Sequence, residues 1–161
     1  MLEELRFDAR MHNGRAFDCG TPVLNEYLTQ FAGQHRRRGL TQIYVLVDSD
    51  TPSSVLGYYT LSAAQIDATQ VAESHRRRLP QFPLPCFRMG RLAVRKDRQG
   101  QGLGKCLLGL AVARGLRARA EVAAYALIVD AKDEAAHAFY QHYGFIACSD
   151  TPGTLYLPFG R

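Results

Sequence analysis

Residues Arg91 to Lys105 read RLAVRKDRQGQGLGK, and the fold is decided there. Arg91-Leu92-Ala93-Val94 is a short apolar run of strand character. A charged turn follows, then Gln99-Gly100-Gln101-Gly102-Leu103-Gly104, then an apolar segment long enough for a helix. Glycines recur at 100, 102 and 104. Glycine reaches positive φ at little cost and lets a ligand approach main chain closely. Exposed N–H groups at a helix start form an anion cradle that the helix dipole strengthens. The stretch reads as a pyrophosphate-binding loop, or else as a glycine-rich strand-to-helix turn without a ligand.

Two common phosphate loops are excluded. A Walker loop needs G-x-x-x-x-G-K-[ST], but Cys106 follows Gly104-Lys105 and Gln99 stands where the first glycine belongs. The dinucleotide fingerprint G-x-G-x-x-G fails because its third glycine comes one position early, at Gly104. The spacing Q-x-x-G-x-G, from Gln99 through Gly102 to Gly104, resembles the acyl-coenzyme A loop of the GNAT superfamily of N-acetyltransferases. Many members of that family open the motif with Arg. Gln99 removes a charge there and leaves the main-chain cradle.

Size and composition set the frame. The 161 residues and 18.0 kDa suit one domain spanning 1–161, with 47% hydrophobic and 22% charged residues. No apolar run approaches a membrane span and MLEELRFDAR has no signal-peptide core, so a cytoplasmic protein is expected. Cys19, Cys86, Cys106 and Cys148 lack C-x-x-C spacing and read as reduced, mostly buried thiols. The five histidines are scattered, and no metal-ligand cluster emerges.

The net charge of +5 is clumped in His35-Arg36-Arg37-Arg38, in His75-Arg76-Arg77-Arg78 and around Arg114, Arg117 and Arg119. Either H-R-R-R cluster alone reads as a solvated helix end. The two together, on a basic chain, point to a polyanionic partner.

Along the chain, Leu5-Arg6-Phe7 reads as a strand, and Thr21-Pro22 as the N-cap and first turn of a helix ending at the first basic cluster. Ile43 to Val47 and Val55 to Ala63 form an expected antiparallel hairpin. Residues 67 to 85 read as a short helix and a loop closing over a site. Cys86 to Val94 is expected to be one central strand. A helix over Leu103 to Ala120, with Leu103, Leu107, Leu108, Leu110, Ala111, Val112 and Leu116 on a broad buried face, leads to a strand at Ala124 to Val129. A helix from Asp133 to Tyr143, capped by Gly144, precedes strands at Phe145 to Cys148 and Thr154 to Phe159. This order implies an α/β architecture: a mixed sheet of about six or seven strands with about four helices. It resembles the GNAT order.

In the last helix Phe139 and Tyr143 share a face suited to the sheet, with Tyr140 about 100° away beside Ala136 and His137. Ala136 to Phe145 resembles the A-x-x-F-Y-x-x-x-G-F ending of GNAT enzymes. There the tyrosine implies an acid for the coenzyme sulfur; otherwise Tyr140 is a rim tyrosine bonded to main chain. Further likeness lies in Phe17-Asp18-Cys19-Gly20, Gly57-Tyr58-Tyr59, Gly90-Arg91-Leu92, Asp130-Ala131-Lys132-Asp133 and Thr154 to Pro158. These resemble the branch of toxins that acetylate aminoacyl-tRNA, usually paired with a ribbon-helix-helix antitoxin.

The resemblance implies acetyl-CoA as cofactor. It would lie on Leu92, Ala93, Val94, Gln99, Gly100, Gln101, Gly102, Leu103, Gly104 and Lys105, with Lys132 and Phe139. Tyr140 is the implied acid, while Arg36, Arg37, Arg38, Arg76, Arg77, Arg78 and Arg91 would face the tRNA. No Asp or Glu stands out as a base; an α-amino acceptor, near pKa ~8, needs one less than lysine at ~10.4. Other acceptors in view are a small-molecule amine and a protein N-terminus. A sensor of acyl-CoA or an RNA-binding module is the non-catalytic alternative. A homodimer is allowed for.

Overall fold

The structure, a computed structural model, describes residues 1–160. The chain runs β1 (Leu2–Arg6), α1 (Pro22–Glu26), a π turn (Tyr27–Phe31), α2 (Ala32–Arg37), β2 (Gln42–Asp48), β3 (Gly57–Ile66), α3 (Glu73–Arg76) and β4 (Leu84–Met89). It continues with β5 (Leu92–Val94), α4 (Leu103–Ala118), β6 (Ala126–Asp130), α5 (Glu134–His142), β7 (Ile146–Ala147) and β8 (Thr154–Pro158). The mixed α/β order agrees with the sequence reading. Contacts group Met1–Ser62 with Arg91–Ala111 into one compact unit, and Ala63–Gly90 with the residues from Val112 onward into a second.

In the first unit β1, β2 and β3 pair antiparallel, with Leu5 opposite Val45 and Tyr44 opposite Tyr59. The expected hairpin is therefore present. β2 is buried along Ile43–Val47, which is why it reads as an unbroken apolar run. Its core joins Phe7, Phe17, Tyr27, Leu28, Ile43, Val45 and Tyr58. The helix begins at Pro22, but Thr21 makes no side-chain cap; Asn25 Oδ1 accepts the N–H of Cys19 instead, and Asp18 holds the Asn25 amide. The expected single helix is interrupted by the π turn.

In the second unit β4 and β6 run parallel, β6 and β8 antiparallel, and β7 closes on β8. Ile66, Val71, Leu84, Cys86, Ala126, Ile128 and Tyr156 form its core. Gly115 is a packing requirement, since an added Cβ would stand 2.6 Å from the Phe159 ring.

Two expectations are corrected. Cys86 to Val94 is not one strand: β4 lies between β3 and β6, and β5 is a separate strand on β3, Tyr58 opposite Ala93. The strand breaks at Gly90-Arg91, which raises the count to eight among the described residues. The apolar face of α4 is also narrower than its sequence suggests. Leu103, Leu107, Leu108 and Ala111 are buried, Leu110 and Val112 half-buried, and Leu116 exposed. All four cysteines are free, three of them buried. Among the described residues no helix is long and apolar enough to cross a membrane.

Candidate active site

The glycine loop is built from its flanks. β5 sits on β3 with Gly57 opposite Val94, and a Cβ on Gly57 would meet Ala93 O at 2.8 Å and Leu107 Cδ1 at 2.7 Å. Only a bare backbone permits that approach. Past β5, Arg95 donates to Ser54 Oγ at 2.8 Å and to Asp97 at 2.6 Å, and Lys96 pairs with Asp18 at 3.4 Å. Those cations are engaged within the chain. Gln99 turns its amide inward and donates from Nε2 to the carbonyls of Cys19 and Val94, both at 2.9 Å. Its amide nitrogen is spent on shaping the loop.

What faces out is main chain. Gly100 and Gly102 take φ of 78° and 82°, and an added Cβ on either would find nothing within 4 Å. Gly100, Gln101, Gly102 and Lys105 are exposed, Gly104 is half-buried and Leu103 is buried as the anchor of α4. A helix start leaves its first N–H groups without intrahelical partners. The loop's own carboxylate, Asp97, is taken by Arg95. Lys105 adds an ammonium with no partner among the described residues. A diphosphate fits such a surface: open space, free donors, positive potential and no bare carboxylate.

β5 has a strand on one side only. Leu92 and Val94 are half-buried and Ala93 is buried. The carbonyl of Arg91 accepts from Thr60, and the N–H of Arg95 donates to Leu56.

The phenol in the second unit is placed by a helix cap. Asp133 accepts the N–H of Ala136 at 2.8 Å and starts α5. At the other end Gly144 takes φ of 93°, its N–H donates to Gln141 O at 3.0 Å, and the N–H of Phe145 donates to Tyr140 O at 3.1 Å. This is a Schellman closure, which characteristically packs the residue beyond the glycine against the third helical residue from the end. Those residues are Phe145 and Tyr140, with ring centroids 5.4 Å apart. The F-Y-x-x-x-G-F spacing is therefore a capping pattern that fixes a tyrosine.

The expected faces of α5 are exchanged. Tyr140 is the buried ring at 5% exposure, while Phe139 and Tyr143 are half-buried and pack on each other at 5.1 Å. Helical spacing separates the two stripes but does not say which one meets the core. The rim reading of Tyr140 also fails, because its hydroxyl takes no main-chain partner among the described residues. Burial raises its pKa well above the ordinary phenol value, and the Asp130 carboxylate raises it further. Asp130 ends β6, where Arg88 pairs with it and Thr154 Oγ1 donates to it at 2.9 Å. Sequence reading assigned Arg88 no role; its register opposite Ile128 follows only from the parallel pairing. Lys132 is exposed just beyond β6.

The basic clusters share one plan. His35 bonds the hydroxyl of buried Tyr27 at 3.0 Å, and His75 that of buried Tyr156 at 3.2 Å. The first arginine of each donates back to main chain: Arg36 to Phe7 O at 2.5 Å, Arg76 to Thr69 and Val71 carbonyls at 3.3 and 3.2 Å. Arg77 makes a loose exposed pair with Glu73 at 3.9 Å. Arg37, Arg38 and Arg78 are exposed. Arg91 lies over the Tyr27 ring, Cζ 3.6 Å from its centroid.

A glycine loop with outward main chain at a helix start, and separately a buried phenol, are features that would suit a group-transfer enzyme whose activated donor carries phosphates. Residues 39–147 match the acetyltransferase (GNAT) domain family. The chain belongs to that family and is an acetyl-CoA-dependent N-acetyltransferase. A tRNA-acetylating toxin of Mycobacterium tuberculosis (strain ATCC 25618 / H37Rv) is 32% identical over 142 residues, 88% of this chain and 83% of that protein. The crystal structure of a tyrosine-to-phenylalanine mutant of KacT matches with TM-score 0.92 and 31% identity over 98% of this chain and 95% of that one. AtaT complexed with acetyl-methionyl-tRNAfMet matches with TM-score 0.91 and 29% identity, covering 98% and 95%. A tyrosine-to-phenylalanine mutant of AtaT bound to the C-terminus of the antitoxin AtaR and acetyl-CoA matches with TM-score 0.83 and 28% identity, covering 98% and 93%.

Proposed function

We propose that the chain, working as one acetyltransferase domain, acetylates the amino group of aminoacyl-tRNA and so blocks translation, as a cytoplasmic toxin restrained by an antitoxin. The observation that carries the reading is the outward-facing glycine loop opening α4, on a basic chain similar to a tRNA-acetylating toxin. The likeness to AtaT, solved with an acetylated aminoacyl-tRNA and with AtaR, favours this acceptor over a free small amine. It also favours catalysis over a sensing or RNA-binding role.

Acetyl-CoA supplies the activated acetyl thioester when bound. Main-chain N–H groups from Gly100 to Lys105 hold its diphosphate, aided by the α4 dipole and Lys105. The free edge of β5, at Leu92 to Val94, offers main-chain groups to the pantetheine arm and acetyl oxygen. Lys132 and Phe139 complete the cofactor contacts.

Tyr140 holds its proton across the physiological range and gives it to the departing sulfur. Burial that raises the phenol raises a thiolate in the same apolar setting too, keeping donor and acceptor within range. The α-amine of an aminoacyl ester is near neutral already, so no carboxylate base is required. Arg37, Arg38, Arg77, Arg78 and Arg91 meet tRNA phosphates, while Arg36 and Arg76 hold the helix ends that carry them.

The test is transfer of labelled acetyl from acetyl-CoA to charged tRNA, uncharged tRNA and a polyamine. Label on charged tRNA alone is expected. Equal labelling of the polyamine would replace the tRNA reading with a small-amine one.

A further inference from the structure

Tyr27 is the centre of an aromatic and cationic cluster in the first unit. Its ring is buried and its hydroxyl bonds His35 at 3.0 Å. Tyr58 stacks on it with centroids 6.4 Å apart, and the Arg91 guanidinium covers it at 3.6 Å. So many partners make this ring a fixed support. Phe31 lies against it, 6.3 Å from Tyr27 with the planes 25° apart, and 6.0 Å from His35.

Phe31 is nonetheless 45% exposed. Helical spacing alone would group it with Leu24 and Leu28, which pack on the core, yet it does not follow them. A single exposed apolar ring means little by itself. Its setting distinguishes this one. From Tyr27 to Leu40 the chain carries no Asp or Glu. Gln34, His35 and Arg38, at three, four and seven residues on, share the helical face of Phe31. Arg38 and its neighbour Arg37 are exposed, and neither makes a hydrogen bond or ion pair among the described residues. Proteins recognise unpaired RNA bases by stacking them on aromatic side chains, while guanidinium groups take the phosphates. An open ring beside free arginines, with no carboxylate between them, suits that task.

We propose that Phe31 is a stacking platform for one unpaired base in the single-stranded 3′ end of tRNA, with Arg37 and Arg38 on the adjoining phosphates. The assignment rests on the tRNA reading and adds a base contact to what were phosphate contacts alone. Tyr27, locked by His35 and Arg91, keeps the platform oriented before RNA arrives.

The test places the fluorescent base 2-aminopurine, one position at a time, in the unpaired 3′ end of uncharged tRNA. Each tRNA is titrated with the full chain, and stacking reads out as quenching. Quenching at one position is expected with wild type. Phe31→Leu keeps an apolar side chain but no ring; it should remove the quenching at saturation and weaken binding about tenfold. Phe31→Tyr should restore both. A tRNA lacking its unpaired 3′ end should bind wild type and Phe31→Leu equally. Quenching at no position, quenching that survives Phe31→Leu, or the same loss of affinity on the shortened tRNA would overturn the platform alone. Failure of every tRNA to bind would instead sink the tRNA reading, and the platform with it.

Discussion

The N–H of Phe145 donates to the carbonyl of Tyr140 at 3.1 Å, and the two rings pack 5.4 Å apart. One helix terminus thus supplies both a backbone closure and the apolar wall of the phenol. The proposed acid is held by capping chemistry, with its hydroxyl left free to donate.

Tyr140→Phe retains that packing and deletes the donor. It should lower kcat by about 10²–10⁴-fold and leave acetyl-CoA affinity unchanged. Single-turnover rates with calorimetric titration of the coenzyme check both halves. Because burial and Asp130 raise the phenol pKa, wild-type kcat should show no alkaline decline from this group below about pH 10.

Gly144→Ala forces a side chain into φ of 93°. It should cost about 1–2 kcal/mol of stability by denaturant unfolding. It should also lower kcat more than it raises KM, because the residue it displaces is the phenol and not the phosphate cradle.

The arginines divide by their partners. Arg37→Gln, Arg38→Gln and Arg78→Gln should each lower the salt slope of tRNA binding by about 1, with unfolding unchanged. Arg36→Gln leaves the Phe7 carbonyl unmet and should cost about 1–3 kcal/mol of stability. Salt-dependent binding isotherms and denaturant midpoints separate the two groups.

Arg91→Lys preserves charge but loses a planar cation over Tyr27. It should reduce stability by about 0.5–2 kcal/mol. A thermal melt in high salt, where surface ion pairs are screened, isolates the effect.

His12 predicts an acid limb. Burial lowers its pKa below the ordinary 6.5, with the Asp8 charge opposing. The neutral ring therefore contributes stability that is present above pH 6.5 and is lost as pH falls through the folded value. Urea midpoints between pH 7.5 and about 5 should fall more steeply for wild type than for His12→Asn.

The order of elements was legible because β5, the loop and α4 carry their own signals: an apolar run, glycines at alternate positions, then helical periodicity. The break at Gly90-Arg91 was not, since CFRMGRLAV is apolar on both sides of Gly90 and where a strand divides is a tertiary fact. Burial of Tyr140 was hidden for a related reason, as periodicity defines stripes without naming the one that meets the core. Composition found the two H-R-R-R clusters but not the tyrosine hydroxyls that take their histidines. His12 gave no signal at all; only the fold shows its ring buried.

The five-residue π turn at Tyr27–Phe31 has an evolutionary corollary. Rewinding all five residues as ordinary helix would swing everything after them by roughly 100°. His35 would leave Tyr27, and Arg36 would leave Phe7. Excising one residue in the same step restores the phase, so single-residue deletions confined to this turn should survive where deletions elsewhere in the helix are purged.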